Sequence, residues 1–176
     1  MKKITIFLTL FVSLLLSSCS DNDNSTDLTI TENELIGDWK ITDIYTENGE
    51  ASITTNGVTL NGTYSMTAKD YNINMSFTDN PKKVTTNGSV TTITSTTFLG
   101  QTQTQEQPSG DVPNTSGTWS LNKNILSISG AQESGELTIV SYNNNTLVLK
   151  QNLNTTQSLG LQEFKITGNL YVTLTK

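Results

Sequence analysis

The chain has 176 residues, ten basic against sixteen acidic side chains and a net charge of −6, with one cysteine and neither histidine nor arginine. That composition excludes imidazole catalysis and histidine metal sites, and it lacks the clustered cations that a nucleic-acid surface needs. A single cysteine also excludes an internal disulfide and zinc thiolate sites.

Taken in order, Lys2 and Lys3 precede an apolar run from Ile4 to Leu16, and small Ser17 and Ser18 lead to Cys19. Residues 1–18 read as a secretory signal peptide whose core is too short to span a bilayer permanently. Leu16-Ser17-Ser18-Cys19 resembles the bacterial lipobox, which implies that Cys19 is acylated and becomes the first mature residue. Several acyl chains, at about 0.8 kcal/mol per buried methylene, would hold the chain on a membrane. Residues 19–30 form the acylated acidic tether, polar and aperiodic from Ser20 to Asp27. Its acidic residues resemble the surface-export signal of Bacteroidetes-type lipoproteins, so the expected location is the cell envelope, on an outer-membrane lipid anchor. Asp21, Asp23, Ser25, Asp27, Thr29 and Glu32 also fall at the ligand positions of a calcium loop. Thr26 stands where that loop needs glycine and no helix precedes it, so a plain tether is the better reading.

Residues 31–176 are the folded domain. Thr31 and Glu34 are spaced as a capping box, with Ile30 and Leu35 as its hydrophobic staple, predicting a short helix. Everything after Gly37 reads as strand and turn. A two-residue loop at Asn56-Gly57 pairs Thr55 with Val58 and Ile53 with Leu60. Asn61-Gly62 fits inside a strand, because a turn there would break the alternation Val58, Leu60, Gly62, Tyr64, Met66. Tyr71, Ile73, Met75 and Phe77 alternate in what reads as the next strand, and a turn at residues 79–82 sets Phe77 opposite Val84. Asn87-Gly88 then reads as a turn back toward Ile93. Residues 100–114 hold little to bury and read as a long flexible loop. Beyond it, a turn at Asn122-Lys123 would pair Trp119 with Leu126. A hairpin would set Tyr142 opposite Leu147 and Val140 opposite Leu149. Leu170, Val172 and Leu174 make a last strand.

Gly37-x-Trp39 behind a short helical turn resembles the lipocalin signature. The layout over residues 35–176, with Gly117-x-Trp119 opening a later strand, resembles the lipocalin-like domains of Bacteroidetes lipoproteins. The resemblance implies an all-β, antiparallel up-and-down barrel of about eight strands with a short N-terminal helix, able to enclose one small ligand. It implies too that Trp39 packs at a closed end under a cation, for which Lys165 and Lys176 are the candidates. Trp39 itself reads as core packing.

The expected function is therefore binding of a small apolar or amphipathic molecule, without catalysis, cofactor, metal or nucleic acid. The inward candidates are Leu60, Tyr64, Met66, Tyr71, Ile73, Met75 and Phe77, with Val58 on the same phase, and Gly37, Trp39 and Trp119 are structural. Asp43 is the carboxylate best placed on a strand, but no partner converges on it. The alternatives are a filled barrel that binds a glycan or protein through surface aromatics such as Tyr45, Phe98 and Tyr171, or a purely structural envelope protein.

Overall fold

The structure, a computed structural model, describes residues 28, 30–108, 112–130 and 134–176. The signal sequence, Cys19 and the acidic tether through Asp27 lie outside the described residues, as does Thr29 of the calcium-loop spacing.

One helical turn, α1 (Glu32–Leu35), is followed by nine strands: β1 (Gly37–Thr55), β2 (Val58–Thr78), β3 (Lys83–Phe98), β4 (Gln101–Pro108), β5 (Val112–Asn122), β6 (Ile125–Gly130), β7 (Ser134–Asn143), β8 (Thr146–Leu159) and β9 (Gln162–Thr175). All pairings are antiparallel, and they close in a ring. The order β2-β1-β9-β8-β7-β6-β5-β3 is joined end to end by the β2–β3 pairing. Strand β4 extends the wall that β5 continues: β3 pairs through Lys83–Gly88 with β5 and through Thr91–Phe98 with β4. Closure satisfies backbone groups that an open sheet would leave unpaired along its edges.

The helix forms where the capping box places it. The Glu34 carboxylate accepts from the Thr31 N–H at 2.6 Å and from its hydroxyl at 2.8 Å. Ile30 and Leu35 are both buried in the one hydrophobic core. The hairpin at Asn56-Gly57 has the predicted register, Thr55 opposite Val58 and Ile53 opposite Leu60. Gly62 lies inside β2, opposite Ala51 and Phe98.

Four expectations need correction. Residues 58–78 form one long strand, bent where the register slips between Lys69 and Asn72 and where Asp70 takes φ 55°. The extra residue moves the inward phase from even positions (Tyr64, Met66) to odd ones (Ile73, Phe77). What reads in sequence as two strands is one strand with a bulge. Asn87-Gly88 is likewise internal to β3. There Gly88 has φ 115°, and a Cβ would sit 1.9 Å from the Asn72 carbonyl oxygen, so the glycine permits a close strand approach.

The described residues of the predicted loop after Gly100 are strand, and residues 109–111 lie outside the described residues. Leu99 and Gly100, with φ 51° and 77°, make a two-residue turn, and Gln101–Pro108 pair back onto Thr91–Phe98. Lacking apolar residues, the segment forms a strand through its backbone ladder and through threonine pairs such as Thr97 with Thr102, whose hydroxyls lie 2.8 Å apart. The later hairpins slip by a residue. The β5–β6 turn is at Lys123-Asn124, which sets Trp119 opposite Ile128 and Leu121 opposite Leu126. That register puts four apolar side chains on one face, where the predicted turn would have left Leu121 opposite an asparagine. On β7, Tyr142 does face Leu147, but a bulge expels Val140 to 41% exposure and brings Ile139 opposite Leu149.

Candidate functional site

Cross-strand partners point to the same side of a sheet, so the register assigns every strand residue to the inner or outer face. Bulges near Thr42 and Asn48-Gly49 on β1 reset its phase twice, so Trp39, Ile41, Ile44 and Ala51 all face inward and are buried. The same bookkeeping makes the even positions of β3 and β9 inward, as the buried Val84, Val90, Thr92, Ile166 and Leu174 confirm.

One end of the barrel is sealed. Trp39 is fully buried, and its indole N–H donates to the Leu35 carbonyl at 2.7 Å, tying β1 to α1. Gly37, at φ +122°, brings the chain out of the helix in a backbone conformation that favours glycine. The Lys176 ammonium sits 4.5 Å from the Trp39 ring centroid and donates to the Glu34 and Ile36 carbonyls at 2.9 and 3.1 Å. Lys176, not Lys165, is thus the cation over the tryptophan; Lys165 pairs with Ser52 and Thr156 far along β9 and is exposed.

The second tryptophan repeats this arrangement. The Trp119 indole donates to the Thr78 carbonyl at 2.8 Å and meets Phe77 edge-on at 5.8 Å. Lys82 lies 5.2 Å from the Trp119 ring centroid and forms an ion pair with Glu32 of α1. Leu126, Ile139, Leu147, Leu149 and Leu174, each 2% exposed or less, fill the space between. Burial of each contributes about 1.5–3 kcal/mol.

The other half is built differently. Strand β7 pairs with β8 only up to Lys150, and β5 with β3 only up to Gly88. Above that level the wall is the sheet β8-β9-β1-β2-β3-β4. Among the described residues, the outer edges of Gln101–Pro108 and of residues 151–159 have no strand partner. The inner face of this tall wall stays apolar as it rises. It passes from buried Tyr64, Met66 and Leu153 to half-buried Ile53, Leu60, Phe98 and Phe164. Phe98 lies across Gly62, where an added Cβ would come 2.6 Å from the ring.

The sequence-predicted inward residues therefore divide. Leu60, Tyr64 and Met66 line the tall wall. Ile73 and Phe77 are buried toward the sealed end, with Met75 opposite Trp39. Tyr71 serves the backbone. Its hydroxyl accepts the Ile44 N–H at 3.0 Å and donates to the Ala68 carbonyl at 2.9 Å, bridging the gap that the β2 bulge leaves in the ladder. Burial, first, and nearby Asp43 raise its phenol above the ordinary value, while the Ile44 hydrogen bond opposes the shift. Val58, at 73% exposure at the hairpin tip, is no part of the interior. Sequence reading missed Ile53, Phe98 and Phe164. The signal for Phe98 was present, since Phe98, Thr96, Thr94 and Thr92 share one phase.

The expected surface row of aromatics is also redistributed. Tyr45 and Tyr171 are cross-strand neighbours on the outer face, stacked 5.1 Å apart at 10°, whereas Phe98 faces inward. Asp43 is exposed on the same outer face, and among the described residues no group of His, Cys, Asp or Glu could hold a metal ion. No described helix is long and apolar enough to cross a membrane.

A family model described as a lipocalin-like domain matches residues 35–149. No curated protein and no solved structure matches the chain.

Proposed function

The chain belongs to the lipocalin-like domain family, and from that premise we propose that it binds one small apolar or amphipathic molecule against the tall wall of its barrel, without catalysing a reaction. The observation that carries the reading is the asymmetry of the ring. One end is packed around two tryptophans, while at the other Ile53, Leu60, Phe98 and Phe164 continue the apolar inner face at partial exposure. Partly exposed apolar surface on a concave wall is what a ligand of this class covers. Tyr64 supplies a phenol beside it.

We further propose that the domain is held at the cell envelope by acyl chains on Cys19. The support is the sequence Leu16-Ser17-Ser18-Cys19 behind an apolar segment. Mass spectrometry of the mature amino terminus should show the acyl chains, and a free Cys19 thiol would contradict it. The stacked Tyr45–Tyr171 pair favours a second reading, in which an outer face of β1 and β9 meets a glycan or protein.

Titration of the delipidated mature chain with apolar and amphipathic molecules tests the first reading. Saturable one-to-one binding that Leu60→Asp abolishes without loss of fold supports it. Absence of any saturable binding leaves the outer-face and structural readings.

A further inference from the structure

We propose that the tall wall selects an uncharged amphiphile, with an apolar tail and a hydroxyl- or amide-bearing head, over fatty acids and other charged amphiphiles. The inference rests on the ligand-binding reading above and specifies its substrate class.

Its basis is the segregation of charge across the barrel wall. Every described Asp, Glu and Lys within the strands pairs with residues of the outer phase or sits at a bulge. Glu50 is opposite Thr63 and Thr167, Lys165 opposite Ser52, Glu163 opposite Thr54, Lys69 opposite Thr91, and Glu106 opposite Ile93. The cross-strand hydroxyl pairs Thr54–Thr59, Ser95–Thr104 and Thr97–Thr102 mark the same outer face. The one buried polar residue among those described is Thr92.

The inner phase of the tall wall is nevertheless far from wholly apolar. Thr92, Thr94 and Thr96 on β3 stand opposite Gln107, Gln105 and Gln103 on β4, and Gln157 on β8 stands opposite Phe164. Tyr64 on β2 stands opposite Thr96 on this inner phase. These are neutral donors and acceptors arranged in rungs beside Leu60 and Phe98. Such a wall satisfies hydroxyls and amides on a ligand head. It offers a carboxylate or an ammonium no counter-charge, so a charged head drawn against it loses hydration without a partner. The net negative charge of the chain opposes anions further but would attract cations, which separates a long-range field effect from the neutral lining.

The test compares three ligands with one tail: dodecyl glucoside, dodecanoate and dodecylammonium, each below its micelle concentration, titrated calorimetrically into the mature chain at neutral pH. Dodecyl glucoside is expected to bind at least ten-fold more tightly than either ion. Gln105→Lys, on the exposed β4 wall, should leave the fold intact by circular dichroism and raise dodecanoate affinity about ten-fold. Equal or tighter binding of dodecanoate or dodecylammonium by the unmodified chain would overturn the selectivity while leaving ligand binding standing. An unchanged dodecanoate affinity in Gln105→Lys would overturn placement of the head against β3 and β4. Failure of all three ligands to bind would overturn both the selectivity and the ligand-binding reading.

Discussion

Lys176 joins three parts of the sealed end at once, because one ammonium covers Trp39 and binds two carbonyls at the end of α1. Lys176→Met keeps the aliphatic stem and removes the charge, and should cost about 1–2 kcal/mol, seen as a lower urea midpoint with Trp39 fluorescence altered. Trp39→Ala should cost ~3–5 kcal/mol, since it also opens a cavity and leaves the Leu35 carbonyl without its donor. Tyr64 sets a different dependence. Burial raises its phenol above the ordinary value of 10.0, offset in part by Thr94. The folded state therefore keeps that proton longer than the unfolded chain. The resulting stability is complete below pH about 10 and is lost as pH rises through the folded value. Urea midpoints measured from pH 8 to 11 should fall at the alkaline end, and Tyr64→Phe should shrink that fall.

Strands reveal where sequence reading succeeds and where it stops. The Asn56-Gly57 hairpin and the capping box were legible because each is a local pattern with one geometric solution. The bulge at Asp70 was not, because the switch of apolar phase that it causes looks the same in sequence as a turn between two strands. Strand β4 was hidden for another reason. Its stability comes from pairing with β3 and not from burial, so composition gave no signal. The Leu99-Gly100 turn offers a test at this scale. Leu99 is 83% exposed and held at φ 51°, a conformation in which leucine is unfavourable and asparagine is tolerated. Leu99→Asn should raise stability by ~1 kcal/mol in urea unfolding. If residues 99–108 were an unpaired loop, the substitution would have no effect. The candidate site was half legible: Leu60, Tyr64 and Met66 follow from alternation and Ile53 from its hairpin partner Leu60, while Phe164 depends on the long-range register of β1 with β9.

At the scale of the whole molecule, the barrel packs its core at one end and leaves apolar side chains half-buried at the other. The sealed half holds both tryptophans, and the tall wall holds none. That separation permits a direct measurement. Phe98→Trp places a fluorescent ring on the inner face of the tall wall, and a neutral amphiphile carrying a spin label on its tail quenches only rings it approaches. The account predicts saturable quenching of the Phe98→Trp protein, with Trp39 and Trp119 in the unmodified chain little affected at the same ligand concentrations. Quenching that stays linear with concentration, or that reaches Trp39 and Trp119 as strongly as the introduced ring, would contradict binding at this wall.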